Sequence, residues 1–336
     1  MKVAVLSPVA WRTPPEHYGP WEQIAYNIAT GIAKKGIDVT LFATKNSNSS
    51  VKLDGVIEKG YEEDKNIDAK VAECLHISYL MEQAPSFDII HNNFDFLPLT
   101  YSKLITTPLV TTIHGFSSQK IIPVYKKYND TSYYVSISNS DRSDELNYIA
   151  TVYHGLQKEQ FEFVEKPEDY LLFFGRIHPD KGTYDAIQIA KATNKKLIIA
   201  GIIQDTNYYE EKVKPLIDDE QIKFVGHADS VKRKYLLGNA MALLHPIYFN
   251  EPFGLSVVES MFCGTPVIAY SRGSMPELIE NNNSGFLVND MNEAIAAVKK
   301  VSTINRKQCY DYATEKFSYD KMIDAYIKVY EKILSQ

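Results

Sequence analysis

The sequence predicts an α/β fold built of two doubly wound parallel-sheet domains facing across a cleft. Three observations predict it. Strand-like and helix-like segments alternate along the whole chain. Most of the strand-like segments are continuously apolar rather than alternating, as parallel strands covered on both faces must be. The 336 residues suffice for two domains that each bury a core of their own.

In the first half the strand candidates are 3–7, 39–44, 88–92, 109–113, 133–138 and 149–153. Between the first two, residues 21–35 read as a helix: Ile24, Ile28 and Ile32 recur at i, i+4 and i+8, and Gly36 supplies the stop. The second half repeats the scheme at 170–174, 196–201, 222–225, 241–244, 266–269 and 286–288. The polar stretch 157–169, with Glu159, Glu162, Glu165, Lys166 and Pro167, reads as the linker. The expected division is therefore 1–160, 161–318, and a last helix in 319–336 that can stay with the second domain or pack back on the first. Ligands of such sheets bind at the carboxyl ends of the strands.

Composition narrows the function. The chain is 45% hydrophobic and 23% charged, with net charge −6 and a pI near 5.8, so nucleic acid is not an expected partner. Cys74, Cys263 and Cys309 are odd in number and unclustered, which argues against a disulfide framework or zinc site and for a reducing cytoplasm. The first residues, Met1-Lys2-Val3-Ala4-Val5-Leu6, move straight into a strand, with no room for a signal-peptide core. No apolar run approaches the ~20 residues of a transmembrane segment. Neither half carries Gly-x-Gly-x-x-Gly after its first strand, which disfavours a nicotinamide or flavin cofactor. There is no Asp-x-Asp triplet at a strand end and no cluster at metal-ligand spacing, so no metal is expected.

The most informative segment is Glu251-Pro252-Phe253-Gly254-Leu255-Ser256-Val257-Val258-Glu259. It reads as a turn opening into a helix whose apolar positions Leu255, Val258, Met261 and Phe262 have helical spacing and whose stop is Gly264. The amides near 254–256 then form an anion site at a helix N-terminus. Glu251 lies just outside that helix and Glu259 about one turn in, so two acids flank the anion site. An acid following Val257 and Val258 in an apolar helix calls for a buried partner.

These residues resemble glycosyltransferase family 4, retaining group 1 enzymes of the two-domain GT-B architecture with Rossmann-like domains. The Glu-x7-Glu element at Glu251 and Glu259 carries the likeness. So does Phe174-Gly175-Arg176-Ile177-His178-Pro179-Asp180-Lys181-Gly182, similar to the family's Gly-Arg…Lys-Gly segment. Leu197-Ile198-Ile199-Ala200-Gly201, Ile222-Lys223-Phe224-Val225-Gly226, Cys263-Gly264-Thr265-Pro266-Val267 and Gly285-Phe286-Leu287-Val288 follow in the family's order. In the first half, Tyr18-Gly19-Pro20-Trp21-Glu22 and Ile113-His114-Gly115 resemble its first loop and its histidine strand end.

The resemblance implies a role for each residue. Arg176 and Lys181 pair with diphosphate oxygens, the former through its planar fork. Glu251 contacts hydroxyls of the donor sugar and Glu259 the ribose. Phe253, Gly254, Leu255 and Ser256 act through backbone amides, Gly19 through its own, and His114 stands beside the transferred sugar. Two departures matter. Pro20 replaces a glycine and so removes one amide, and His154-Gly155-Leu156 stands where the family has Asn-Gly. Ser274-Met275-Pro276-Glu277 fits a capping box, with Ser274 as the cap. Lys120, Lys126 and Lys127, interleaved with Ile121, Ile122, Val124 and Tyr125, allow peripheral membrane contact, although a solvated face over a core strip is the better reading.

The expected function is retaining, metal-independent transfer of a hexosyl group from a nucleotide-sugar donor to a hydroxyl acceptor. A UDP-sugar is favoured over GDP-mannose. The acceptor is a carbohydrate, a small molecule or a lipid-linked glycan. Two alternatives stand beside it: a GT-B-like epimerase that needs no acceptor, and a catalytically idle nucleotide-sugar-binding protein.

Overall fold

The computed structural model describes residues 1–16, 19–116 and 118–336. It divides into two compact units, Met1–His154 together with Asp320–Gln336, and Gly155–Tyr319. The division falls ahead of the polar stretch 157–169 in which the sequence reading puts the linker.

The first unit is built on seven parallel strands: β1 (Lys2–Leu6), β2 (Asp38–Phe42), β3 (Lys52–Asp54), β4 (Ile89–Asn92), β5 (Leu109–Ile113), β6 (Tyr133–Ser136) and β7 (Tyr148–Thr151). Their order is β3-β2-β1-β4-β5-β6-β7. Val3, Val5 and Leu6 are fully buried, which is why the continuously apolar pattern is tolerated. The helix Pro20–Lys34 buries Ile24, Ile28 and Ile32 against the sheet. It begins at proline, whose missing N–H has no intrahelical partner at that position anyway. The strand β3 is absent from the sequence expectation because it is three residues long and reads Lys-Leu-Asp, with no apolar run to mark it.

The C-terminal helix Tyr319–Leu334 joins this unit from Asp320 onward. Ile323, Tyr326 and Tyr330 are fully buried. The Tyr330 hydroxyl and His91 Nδ1 share a hydrogen bond of 2.6 Å, while Thr112 lies 2.8 Å from His91 Nε2 and 3.1 Å from the Tyr326 hydroxyl. An ion pair of 2.8 Å from Lys35 to Asp324 adds an exposed tie.

The second unit carries six parallel strands: β8 (Tyr170–Phe174), β9 (Lys196–Ala200), β10 (Ile222–Phe224), β11 (Ala242–His245), β12 (Val267–Tyr270) and β13 (Gly285–Val288). Their order is β10-β9-β8-β11-β12-β13. The order reverses between β8 and β11, and the carboxyl ends of those two strands bound the crevice where such sheets hold ligands. The corresponding reversal in the first unit lies between β1 and β4. Cys74 is exposed, Cys263 and Cys309 are buried, and all three are free thiols. Among the described residues no helix is long and apolar enough to cross a membrane.

Candidate functional site

In the second unit the chain leaves β8 through Gly175 and Arg176, makes a helical turn at Pro179–Lys181, and reaches Gly182. A Cβ on Gly182 would stand 2.0 Å from the Pro246 carbonyl oxygen, and its φ is +70°. Only glycine lets the loop after β8 pass this close to the loop after β11. That approach delivers Lys181 to Glu251. The two side chains form an ion pair, both largely buried. The ammonium also lies 4.7 Å over the Phe249 ring. His245, the last residue of β11, brings Nε2 to 3.6 Å from the same carboxylate oxygen.

Electrostatics follow from this packing. Burial pushes the Glu251 carboxyl up, but His245 and Lys181 together outweigh it and hold it at about 2. Burial pulls His245 down; the carboxylate opposes that and Lys181 adds to it. The cluster therefore keeps Glu251 ionised at neutral pH with its ammonium partner in place.

The backbone of Glu251 is clamped as well. A Cβ on Gly273 would meet the Glu251 nitrogen at 2.4 Å, and the Ser274 amide donates to the Glu251 carbonyl at 3.0 Å. The capping-box expectation for Ser274 needs correction. Ser274 precedes the short helix Met275–Leu278, but its hydroxyl makes no cap and donates to the Phe253 carbonyl at 2.5 Å instead. The serine fastens the acidic loop rather than the helix it precedes.

Gly254 opens the helix Leu255–Phe262. The amides of Leu255 and Ser256 precede the first bonds of the helix, which run from Val257 and Val258 to the Gly254 carbonyl at 3.1 and 3.4 Å. Phe253 is buried and packs edge-on against Phe317 with ring centroids 6.1 Å apart, so its side chain belongs to the core. Glu259 is only 8% exposed. Its partner is Arg233, on the helix Ser230–Asn239, with Nη1 at 3.2 Å. Burial raises the Glu259 carboxyl and Arg233 opposes that rise. The sequence called for a buried partner without naming it. Lys232, Arg233 and Lys234 are adjacent bases, and spacing alone does not say which one turns inward. The Arg176 guanidinium donates to the Gln204 side-chain oxygen.

In the first unit, β5 delivers His114. Its ring stacks between Trp21, at a centroid distance of 5.8 Å, and His154, at 5.4 Å. Its Nε2 lies 3.1 Å from the Asn93 side-chain oxygen, just past the end of β4. Burial, then His154 and His91, push the imidazole well below its ordinary value, so it is neutral at physiological pH. Gly19 immediately precedes the helix Pro20–Lys34, beside Pro15 and Glu22. Tyr18, quoted with it in the loop motif, lies outside the described residues. Of the lysines in the basic segment, Lys126 pairs with Glu145 at 2.8 Å, and Ile122 and Tyr125 are buried beneath it.

The fold and this cluster define a class: two Rossmann-like parallel-sheet units, the second with a charged switch point. Residues 156–316, within the second unit, match the family model Glycosyl transferases group 1. A 41.2 kDa protein of the Klebsiella pneumoniae cps region is 29% identical over 50% of this chain and 48% of its own length. A glycosyltransferase of Methanocaldococcus jannaschii is 26% identical over 66% of this chain and 56% of its own. The chain thus spans about half the length of these curated relatives. Among solved structures, sucrose-phosphate synthase of Thermosynechococcus elongatus superposes with a TM-score of 0.78 at 16% identity, covering 100% of this chain and 99% of that one. The Anabaena protein HepE, solved in complex with UDP, gives 0.74 at 17% identity, covering 99% and 100%. The fold class is GT-B, as expected from the sequence.

Proposed function

We propose that the protein transfers a hexosyl group from a nucleoside-diphosphate sugar to a hydroxyl acceptor, with retention and without a metal. The observation that carries this reading is the buried Lys181–Glu251 pair, with His245 beside it, at the switch point of the second sheet and next to the helix that opens at Gly254. A nucleotide-sugar needs a cationic and amide-lined seat for its diphosphate and acids for its sugar and ribose hydroxyls. Lys181, Arg176 and the amides at 254–256 supply the first. Glu251 and Glu259 supply the second. The match of residues 156–316 to the group 1 glycosyl transferases and the likeness to a UDP-bound protein support the same reading and favour a UDP-sugar.

In this proposal the bond from the anomeric carbon to the diphosphate oxygen breaks as positive charge grows on the sugar. Ionised Glu251 orients the sugar, and Lys181 and Arg176 take up the charge growing on the leaving diphosphate. The acceptor oxygen bonds to the anomeric carbon on the same face, and its proton passes to the departing phosphate oxygen. Within the first unit, the neutral His114 is suited to accept a hydrogen bond from a hydroxyl, and Gly19 to offer an amide. Carbohydrates, small molecules and lipid-linked glycans all offer the required hydroxyl. We place the reaction in the cytoplasm, where nucleotide-sugars are plentiful.

The test is a thermal-shift screen of UDP-, GDP- and ADP-sugars with and without EDTA, followed by NMR of the product anomer. Selective stabilisation by one nucleotide, unchanged by EDTA, and an axial-to-axial outcome are expected. No stabilisation by any nucleotide-sugar would overturn the proposal. Loss of the donor without any acceptor, giving a rearranged sugar, would favour an epimerase.

A further inference from the structure

One carboxylate oxygen in the second unit has two claimants. Glu251 Oε2 accepts from the Lys181 ammonium, and His245 Nε2 stands 3.6 Å from the same oxygen. That separation is too long for a charge-assisted hydrogen bond, which closes to about 2.7–2.9 Å. His245 is 4% exposed, and among the described residues its buried Nε2 has no hydrogen-bond partner. An enclosed polar atom left idle calls for an explanation. The surrounding charges supply one. Burial holds the imidazole below its ordinary value; Glu251, from the loop after β11, opposes this, and Lys181, from the turn after β8, adds to it. Asp185, on the helix Thr183–Ala192, is engaged by the hydroxyls of Tyr248 and Tyr270. Glu259 is engaged by Arg233. In register beside His245 on β12 stands Ala269, which carries no charge.

We infer that His245 is a positioning residue, the reserve counter-ion of Glu251: when a nucleoside diphosphate draws the Lys181 ammonium onto its phosphates, His245 takes up a proton from solvent, donates from Nε2 to Oε2 and keeps the carboxylate paired and aimed. This rests on the diphosphate reading of Lys181. The anion cancels the ammonium charge that opposes a protonated ring and leaves the carboxylate that favours one, so the imidazolium becomes the stable form. A second lysine could not serve here, because it would already be charged in the free protein; an imidazole changes state near neutrality. The linkage has a fixed sign. Binding raises the ring's affinity for a proton, so donor affinity falls as pH rises through the value of the bound state.

Calorimetric titration with UDP-glucose or GDP-mannose, whichever stabilises the protein, tests this without acceptor at pH 7 in buffers of different ionisation enthalpy. The phosphates of these donors do not titrate near neutrality, so proton uptake reports on the protein. The wild type is expected to take up roughly half to one proton per donor bound, and His245→Gln none. The variant is expected still to bind through Lys181, with an affinity that no longer varies between about pH 6.5 and pH 8. Binding by the wild type without uptake would overturn the inference and leave the donor reading standing. Uptake that survives in His245→Gln would overturn it too, since the proton then goes elsewhere. No binding of either donor would overturn the donor reading and the inference together. Should His245→Gln fail to fold, nitrogen-15 NMR of the wild-type ring decides: a neutral ring in the free protein and protons on both nitrogens in the complex are expected, and a ring unchanged by the donor would overturn the inference.

Discussion

Each unit buries a glutamate near the first turn of a helix, and the surroundings shift the two carboxyls in opposite directions. Glu22, on the helix Pro20–Lys34, is 3% exposed and accepts only weakly from the Trp11 amide at 3.3 Å. Burial raises its carboxyl to about 7, helped by the like charge of Glu63 and opposed by backbone hydrogen bonds. Glu251 is comparably enclosed, yet Lys181 and His245 hold it at about 2. The contrast teaches that burial alone does not decide charge; the partner does. The second unit spends a buried cation on keeping an anion, which is the arrangement expected around a diphosphate and a developing oxocarbenium. In the first unit His114 is stacked and uncharged.

The comparison can be broken in order of expected effect. Lys181→Met leaves Glu251 buried without its cation, so it should cost about 3 kcal/mol in urea unfolding and lower transfer by more than about 100-fold. Glu251→Gln removes the ionised acid but keeps its shape; kcat/KM should fall by about 100-fold, with little change in urea midpoint only near pH 2. The sign follows from the depressed carboxyl: its stabilising contribution is present above about 4.5 and is lost as pH falls towards 2.

Glu22→Gln probes the other side. The wild-type carboxyl keeps its proton to about pH 7 in the fold but loses it near 4.5 when unfolded, so wild-type stability falls as pH rises through that window. The variant should be spared that fall, widening its advantage by about 2 kcal/mol between pH 5 and pH 8. A constant difference across that range would mean Glu22 is ionised and paired. Arg233→Ala has the smallest expected effect: Glu259 loses the charged partner it has among the described residues, and KM for the nucleotide-sugar should rise by about 10-fold with kcat nearly unchanged.

Much of this was readable from residue order. The parallel strands announced themselves as unbroken apolar runs, and the helix Pro20–Lys34 through Ile24, Ile28 and Ile32. Glu251 and Glu259 are marked by position around a turn–helix junction, and Lys181 by the resemblance of its segment to the family's Gly-Arg…Lys-Gly. What stayed hidden depends on contacts across the chain. His245 carries no motif of its own, and only the approach permitted by Gly182 shows it facing Glu251. Arg233 was indistinguishable from its basic neighbours. Ser274 satisfied a local capping pattern, but a carbonyl more distant in sequence won its hydroxyl.

The central claim is that Lys181, poised on Glu251, is the cation that seats a nucleoside diphosphate. Calorimetric titration of UDP and of GDP into the wild type and Lys181→Met tests it most directly. One nucleotide should bind the wild type and bind the variant at least about 10-fold more weakly, by the loss of one charge-assisted contact. Equal affinity in the two proteins would contradict the account.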